Sequence, residues 1–268
     1  MKSLSGIKPR PEISHVLFDF DGTLSWIRHG WPRMMAEVMR QYYPARANET
    51  ENEICDHLIT ELLSLNGKPT IFQMVHFKQE VEARGGKCPS PEEMRKEYQD
   101  RLDHVIEERA MAIRKGVYKP DDFVVFGARE LLTLLKKRGL KLIILSSTME
   151  ERVREEAIIL ELEPFFGRYI YGGGADGAKF SKREVIDRFM REDNMKGAKL
   201  LSFGDGPVEI AETVDVGGLA IAVASNEDEN GSGVMDPWKR KQLTAAGAHA
   251  MIPDYRNPSE LISAIFGN

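Results

Sequence analysis

The stretch Val16-Leu17-Phe18-Asp19-Phe20-Asp21-Gly22-Thr23-Leu24 decides the fold of this chain. Its apolar first part is typical of a buried parallel strand, and the two aspartates follow where that strand ends. Alternation along an extended chain places Asp19 and Asp21 on the same side, at the strand end where open α/β sheets bind ligands. Two carboxylates this close repel each other unless a cation lies between them, and oxygen ligands favour a hard divalent metal.

A second interpretation of Asp19 and Asp21 needs no ligand. Asp-Gly is a common turn pair, and an aspartate after a strand often caps the next helix. Later segments of the chain favour the ligand site, because they add more polar groups at strand ends and helix starts. These segments are the strand with two serines at 142–147, the lysines Lys179 and Lys182, and the strand end with Phe-Gly-Asp-Gly-Pro-Val-Glu at 203–209.

The rest of the chain shows two kinds of pattern. From 25 to 122 apolar residues recur at helical spacing between turn residues, whereas after 127 predicted helices alternate with short apolar strands. This alternation predicts a parallel, doubly wound sheet. The sequence therefore predicts an α/β protein with a Rossmann-like core from 1–24 and 123–268 and an α-helical cap inserted at 25–122. The strands are expected at 15–19, 140–145, 169–171, 199–203, 219–223 and 250–252, after a loose tail at 1–14.

Length, charge and cysteine content exclude several classes of protein. The 268 residues suffice for a sizeable core, and a net charge of −5 gives no electrostatic reason to expect nucleic acid binding. Two cysteines, Cys55 and Cys88, are too few for a disulfide framework and indicate a reducing compartment. The start lacks a signal-peptide pattern and no segment reaches the length of a membrane span, so we expect a cytoplasmic protein without a membrane partner. The sequence leaves the oligomeric state open.

The motifs resemble the haloacid dehalogenase superfamily, in its phosphatase branch with an inserted helical cap, which includes phosphoglycolate phosphatase and β-phosphoglucomutase-like proteins. The resemblance rests on Asp-Phe-Asp-Gly-Thr at 19–23, Ser146, Lys182 and Gly-Asp-Gly-Pro-Val-Glu at 204–209, which occur in the family's order. It extends from residue 14 to residue 266, although the segment 25–122 is matched only in kind, as a helical cap. It implies a phosphoryl-transfer site with a carboxylate nucleophile.

The resemblance implies a role for each acidic residue. Asp19 attacks phosphorus and forms an aspartyl-phosphate, while Asp21 acts as general acid and then general base. The metal ligands for Mg²⁺ are Asp19, the backbone carbonyl of Asp21, Asp205 and Glu209. The family more often has aspartate at the position of Glu209, which leaves direct or water-mediated ligation open. The dehalogenase branch lacks the second acid, so its presence here favours phosphate esters as substrates.

Ser146 and Lys182 are the predicted phosphate-binding residues. A hydroxyl at the end of the strand can donate to a phosphoryl oxygen, and a one-residue slip of register would put Ser147 there instead. A plain helix cap is the competing interpretation of the serine. The lysine would hold Asp19 and the phosphoryl group together by charge, and Lys179 is the alternative.

The remaining predicted substrate contacts lie beside the aspartates and in the cap. Gly22 and Thr23 follow the two acids, and Lys68 in the turn at 66–70 can add positive charge toward a phosphorylated substrate. An ordinary solvated turn is the alternative for that lysine. His29 and His76 are interpreted as isolated histidines with a surface or core role. The polar loop at 225–236 follows a strand end, which predicts a position on the active-site side of the sheet.

These features predict a magnesium-dependent phosphatase that acts on a small phosphorylated metabolite. A sugar phosphomutase with the same intermediate is the alternative, because both reactions begin with transfer of a phosphoryl group to Asp19. A phosphate-binding scaffold without turnover is a third hypothesis. The sequence does not identify the substrate, because specificity in this architecture depends on cap side chains.

Overall fold

The computed structural model describes residues 4–65, 69–174, 181–226 and 228–267. The chain forms two compact units, one from 1–27 with 113–268 and the other from 28–112. The first unit contains every strand named below, and the second is helical. The roles of catalytic core and cap that the sequence suggested for 1–24 with 123–268 and for 25–122 stay a prediction.

A six-stranded parallel sheet forms the centre of the first unit. The strands lie in the order β3-β2-β1-β4-β5-β6, and all five neighbouring pairs are parallel. They are β1 His15–Phe18, β2 Lys141–Met149, β3 Ile170–Gly173, β4 Leu200–Gly204, β5 Leu219–Val223 and β6 Ala250–Ile252. Every residue of β1, β4 and β5 is buried, as expected for strands covered on both faces. The predicted Rossmann-like α/β core is confirmed.

Helices connect the strands of the sheet, as parallel pairing requires. Those of the first unit are α5 Ala128–Lys137, α6 Glu150–Ile159, α7 Glu163–Phe166, α8 Lys182–Glu192, α9 Pro207–Asp215, α10 Pro237–Ala245 and α11 Pro258–Phe266. Several begin at signals present in the sequence: the Ser181 side chain accepts from the N–H of Glu184, and Asp236 accepts from the N–H of Lys239. The short helix α7 was not predicted, because it is only four residues long.

The second unit is built from helices α1 Trp31–Arg40, α2 Glu51–Ser64 and α3 Thr70–Ala83, and it takes in most of α4 Pro91–Arg114. A capping box between Thr50 and Glu53 begins α2. The side chain of Gln73 on α3 is buried and donates to the carbonyl of Leu62 on α2 at 3.0 Å. The two helices therefore lie side by side.

The amino-terminal segment is more ordered than the loose tail that its sequence suggested. The N–H of Arg10 donates to the carbonyl of Ile265 at 2.7 Å, and the N–H of Ser14 donates to Lys199 at 3.0 Å. Ile13 is buried. Because each bond joins the amino-terminal segment to a residue almost 200 positions or more away in the sequence, the local sequence could not predict these bonds. Among the described residues, no helix combines the length and apolar character needed to cross a membrane.

Candidate active site

Two neighbouring strands, β1 and β4, place two of the acidic residues at the carboxyl end of the sheet. Asp19 comes directly after β1, and Asp205 comes directly after β4, which pairs with β1 from His15 opposite Leu200 to Phe18 opposite Phe203. The backbone N–H of Asp19 extends this ladder by donating to the carbonyl of Phe203 at 2.9 Å. With Phe18 opposite Phe203, Asp19 and Asp205 follow the paired residues by one and two positions, so both lie at the carboxyl end of the sheet, where parallel sheets bind ligands.

Three carboxylates meet at this edge. Asp19, Asp205 and Glu209 each offer an oxygen, these oxygens lie within 4.8 Å of one another, and all three side chains are buried. Glu209 folds back over the turn before α9, where its Oε1 accepts from the N–H of Gly206 at 2.6 Å. A Cβ built on Gly204 would lie 2.4 Å from the Cγ of Glu209, so the turn needs glycine there to admit the carboxylate.

Lys182 joins two of these carboxylates. It occupies the first position of α8, is buried, and its Nζ donates to Asp19 Oδ1 at 2.5 Å and to Glu209 Oε2 at 3.0 Å. Glu209 therefore contacts this lysine through one oxygen and the turn through the other. Of the two lysines that the sequence offered, Lys182 lies at the acidic cluster, while Lys179 lies outside the described residues.

Burial and charge shift the pKa values of this pair. Burial raises the pKa of Asp19 well above its usual range, the nearby charges of Glu209 and Asp205 raise it further, and the Lys182 ammonium opposes them. Burial alone would lower the pKa of Lys182, but Asp19 and Glu209 outweigh burial and raise it. The lysine thus stays charged, and an added cation would make ionisation of the nucleophile candidate easier.

A second buried lysine, which the sequence analysis missed, lies on the other side of the cluster. Lys239 of α10 donates from Nζ to Asp205 Oδ2 at 2.9 Å and to the hydroxyl of Ser225 at 3.1 Å. That hydroxyl donates in turn to the carbonyl of Gly22 at 2.7 Å. The loop that begins at Ser225 is therefore tied to the turn after β1. Two buried ammonium groups thus face three buried carboxylates.

Asp21 is not one of the three grouped carboxylates, and its side chain contacts the end of β2. The hydroxyl of Thr148 donates to Asp21 Oδ2 at 2.9 Å. Ser146 lies two residues earlier in the same strand, is buried, and its hydroxyl oxygen accepts from the N–H of Thr148 at 3.1 Å. Ser147 is exposed. The strand runs to Met149, four residues beyond its predicted end, and this extension brings Thr148 to the site.

The two residues after Asp21, Gly22 and Thr23, shape the turn after β1 and contact the acidic cluster. Thr23 is fully buried, and its hydroxyl donates to Asp205 Oδ1 at 3.3 Å. Gly22 has a φ of 75°, a left-handed conformation that favours glycine, and its N–H donates to the carbonyl of Ser25 at 2.9 Å. The predicted contact residue Lys68 lies outside the described residues.

Tyr255 approaches the same acids from the segment after β6. Its ring is buried and packs edge-on against Phe203, with ring centroids 5.6 Å apart. Within the described part of the chain, its hydroxyl has no hydrogen-bond partner. Burial raises the pKa of Tyr255 well above its usual range, and the charges of Asp205 and Asp19 add to that rise. The phenol therefore remains protonated, as a donor near the acidic cluster.

Sequence reasoning missed Lys239, Thr148 and Tyr255 for a common reason. Each is an ordinary residue in its local pattern: a lysine in the first turn of a helix, a threonine in a strand, and a tyrosine in a loop. Only the pairing of strands and the packing of α10 bring them to the site. A partial signal existed for Lys239, because it follows an Asp-Pro helix start that comes after a strand end.

The acidic cluster suits a divalent metal ion. Its donors are oxygen atoms of three buried carboxylates within 4.8 Å of one another, and buried like charges are stabilised when a cation lies among them. Hard cations such as Mg²⁺ prefer oxygen ligands of this kind. Both oxygens of Glu209 accept from protein donors, and both oxygens of Asp205 also have protein partners, Thr23 and Lys239, so an incoming ion would share these carboxylates with the groups that hold them.

Comparison with known proteins identifies a family. A model of the haloacid dehalogenase-like hydrolases matches residues 13–212, which is most of the chain and includes Asp19, Asp21, Ser146, Lys182, Asp205 and Glu209. The resemblance suggested by the sequence motifs is thereby confirmed. A search of curated proteins finds no match.

Solved structures share the fold across almost the whole chain. A conserved haloacid dehalogenase-like protein of unknown function from Agrobacterium tumefaciens is 17% identical, with a TM-score of 0.63 over 94% of this chain and 98% of that one. A "predicted phosphoglycolate phosphatase" from Haemophilus somnus is 12% identical, with a TM-score of 0.62 over 93% and 98%. A HAD family hydrolase from Deinococcus radiodurans, solved with bound phosphate and sodium, is 15% identical, with a TM-score of 0.58 over 95% of both chains.

Proposed function

Because the chain belongs to the haloacid dehalogenase-like hydrolase family, we propose that it is a magnesium-dependent phosphatase that hydrolyses a small phosphomonoester through an aspartyl-phosphate on Asp19. One observation carries the proposal: the buried ammonium of Lys182 contacts Asp19 at 2.5 Å and Glu209 at 3.0 Å, beside Asp205. A surface ion pair would need no such burial. A site that receives a phosphoryl group needs this concentration of fixed charge.

The first half-reaction forms the bond between Asp19 and phosphorus. A carboxylate oxygen of Asp19 attacks in line, the bond from phosphorus to the ester oxygen breaks, and Asp21 gives its proton to the departing alcohol. Thr148 holds Asp21 at 2.9 Å, which supports a fixed position for this acid. The Lys182 ammonium balances the negative charge of the phosphoryl oxygens and of the nucleophile.

The second half-reaction returns the site to its starting state. Asp21, now ionised, takes a proton from water, and the water oxygen bonds to phosphorus as the acyl-phosphate bond breaks. Inorganic phosphate leaves and the carboxylate of Asp19 is restored. The same residue thus serves as acid in one step and as base in the next.

Asp19 and Asp205 would hold Mg²⁺, with the backbone at Asp21 as the family resemblance implies and Glu209 acting mainly through Lys182. Bound there, the ion would neutralise charge on the transferring phosphoryl group. The charge of these side chains supports this assignment, because three carboxylates face two ammonium groups.

The decisive experiment measures phosphate release from a panel of phosphorylated metabolites with Mg²⁺, for the wild type and for Asp19→Asn. The amide has almost the same shape but is a poor nucleophile, so we expect the activity to vanish. Asp193→Asn is the matched control. This carboxylate pairs with His15 and Lys141, the first residues of β1 and β2, at the end of each strand that is away from the site. If Asp19→Asn keeps more than about a tenth of the rate, less than 1.4 kcal/mol of barrier is involved and the nucleophile is wrongly assigned.

Asp21→Asn tests the acid–base role separately. The nucleophile survives in this variant, so a substrate with a good leaving group should still phosphorylate the protein while hydrolysis slows. Mass measurement after rapid quenching should then detect a covalent adduct of one phosphoryl group. Steady-state rates equal to those of the wild type would remove Asp21 from this role.

A phosphomutase would share the first half-reaction and differ in the second. The phosphoryl group would return to another hydroxyl of the sugar instead of passing to water. Phosphate release in proportion to substrate consumed supports the phosphatase, whereas an isomeric sugar phosphate without released phosphate would favour the mutase.

A further inference from the structure

Two helices of the second unit carry the same pattern on facing surfaces. His57 and Glu61 are four residues apart on α2, and His76 and Glu80 are four residues apart on α3. Residues at this spacing lie on the same face of a helix. The bond from Gln73 to the carbonyl of Leu62 holds the two helices side by side. The pattern therefore places two imidazoles and two carboxylates around one point.

The four side chains contact one another across the helix pair. His57 Nε2 lies 3.1 Å from Glu80 Oε2, and His76 Nε2 lies 3.0 Å from Glu61 Oε2. His76 Nε2 also lies 4.0 Å from Glu80 Oε1. One donor atom each from His57, Glu61 and Glu80 lies within 4.8 Å of the other two. Each histidine thus faces the glutamate of the opposite helix, and the set spans both helices.

We propose that this cluster is a binding site for a divalent transition metal of the zinc class, with His57, Glu61, His76 and Glu80 as its ligands. Zinc binds imidazole nitrogen and carboxylate oxygen at about 2.0–2.2 Å in a tetrahedral arrangement. Those bond lengths require donor atoms roughly 3.3–3.6 Å apart. The two cross-helix separations of 3.0 and 3.1 Å and the 4.0 Å separation between His76 and Glu80 within α3 bracket that range, so side-chain rotations would adjust these donors to the ion.

Charge supports a cation at this point. The donor oxygens of Glu61 and Glu80 lie within 4.8 Å of each other, and like charges at such a distance repel. Imidazoles bind a metal in their neutral form, so the set then carries two negative charges, which a divalent ion balances. The nitrogen donors distinguish this site from the all-oxygen cluster around Asp19, because imidazole suits zinc and carboxylate-only sites suit magnesium.

The site is open to solvent on one side and supported on the other. The four side chains are between 24% and 39% exposed, so an ion can reach them. Glu61, His76 and Glu80 line a pocket whose wall includes the buried residues Leu58, Leu62 and Phe77. The hydroxyl of Tyr43 donates to Glu80 Oε2 at 3.2 Å, and this contact fixes the carboxylate as outer-shell partners do in metal sites.

The chain provides a matched control for this pattern. His104 and Glu108 on α4 have the same spacing, with His104 Nε2 3.3 Å from Glu108 Oε1, but their side chains are 75% and 67% exposed. This pair offers two donors on one helix and lacks the enclosure of the α2–α3 cluster. If spacing alone sufficed, this pair would bind metal equally well.

The test is a titration of the full-length protein with Zn²⁺ in excess Mg²⁺, which occupies the oxygen-only cluster. We expect one Zn²⁺ per chain. His57→Gln and His76→Gln should each weaken binding by at least about tenfold, since even outer-shell changes cost 10–100-fold. His104→Gln should bind as the wild type does. Co²⁺ in place of Zn²⁺ should give the visible absorption of a tetrahedral site in the wild type and lose it in both cluster variants.

Thermal unfolding provides a second readout that does not depend on catalysis. Zn²⁺ should raise the unfolding temperature of the wild type and of His104→Gln, and it should leave the double variant His57→Gln/His76→Gln unchanged. Glu80→Gln, which keeps the size of the side chain, replaces the double variant if the latter does not fold. Equal Zn²⁺ affinity in the wild type and in the cluster variants would overturn the site, as would a wild type that binds no Zn²⁺ in excess Mg²⁺. Neither result depends on phosphatase activity.

Discussion

Replacing Lys239 with methionine tests whether two ammonium groups are needed to balance the acidic cluster. Methionine keeps an unbranched side chain of comparable reach but removes the charge that contacts Asp205 Oδ2 at 2.9 Å. The lysine is buried, so water cannot substitute for it. Among the described residues, the side chain of Asp205 then keeps the hydroxyl of Thr23 at 3.3 Å as its donor. The variant therefore leaves a buried carboxylate with one weak partner.

The expected loss of stability follows from the cost of an uncompensated buried charge. Removing one partner of a buried ion pair costs about 3–5 kcal/mol. The Thr23 bond favours the lower end, about 3 kcal/mol in the metal-free protein. For a chain of this size each kcal/mol lowers the unfolding temperature by about 2–4 °C, which gives a fall of roughly 6–12 °C.

Magnesium should reverse most of that loss, because a divalent ion supplies the missing positive charge. The rise in unfolding temperature on adding Mg²⁺ should therefore be larger for Lys239→Met than for the wild type. Thermal scans by circular dichroism, in chelator and in excess Mg²⁺, measure both quantities. Lys241→Met is the control: it lies two residues further along α10 and is exposed, so its effect should stay within about 0.5 kcal/mol. Equal unfolding temperatures for Lys239→Met and the wild type in chelator would refute the charge balance described above, and so would equal responses to Mg²⁺.

Further substitutions test the other contacts of the site. Asp205→Asn should raise the Mg²⁺ concentration needed for phosphate release, and Ca²⁺ should restore activity poorly because its coordination is larger and looser; full activity in excess chelator would contradict the metal site. Thr148→Val removes the 2.9 Å donor to Asp21, so kcat should fall by about tenfold with little change in KM, which corresponds to about 1.4 kcal/mol. Tyr255→Phe should leave stability unchanged or raise it by up to about 1 kcal/mol, because the deleted hydroxyl is buried with no partner among the described residues; a loss of several kcal/mol in chemical denaturation would reveal a bond to that hydroxyl.

The strands of the sheet were predictable because their apolar runs are short, uninterrupted and bounded by breakers. All six predicted strands form, and β5 and β6 begin and end at the predicted residues. The extension of β2 to Met149 was not predictable, since Ser146 to Met149 has the polar composition of a loop. Pairing with β3, where Met149 lies opposite Gly173, imposes the extended conformation there. Tertiary context thus overrides local preference at the segment that holds Asp21.

Some residues of the candidate site could be predicted from the local sequence around them, whereas others depend on contacts between segments far apart in the chain. Asp19 and Asp205 follow buried strands directly, so strand order alone predicts that they meet. Lys182 was weighed against Lys179 on helix-start chemistry, and its contact with Asp19 depends on the packing of α8. Lys239 had no comparable motif, since its role depends on a contact with Asp205 across 34 positions of sequence. The His57 and His76 pattern was present in the sequence but was missed, because His76 was interpreted as an isolated histidine and His57 was not considered.

The pairing of β1 has a consequence for synthesis on the ribosome. Both neighbours of β1 in the sheet come late, because β2 begins at Lys141 and β4 at Leu200. At roughly 5–20 residues per second, the apolar segment His15–Phe18 waits several seconds or more before either partner emerges. The contiguous unit 28–112 is complete before then and can fold on its own contacts. A nascent chain therefore exposes its central strand while the helical unit forms, which makes β1 the natural point for chaperone binding during translation.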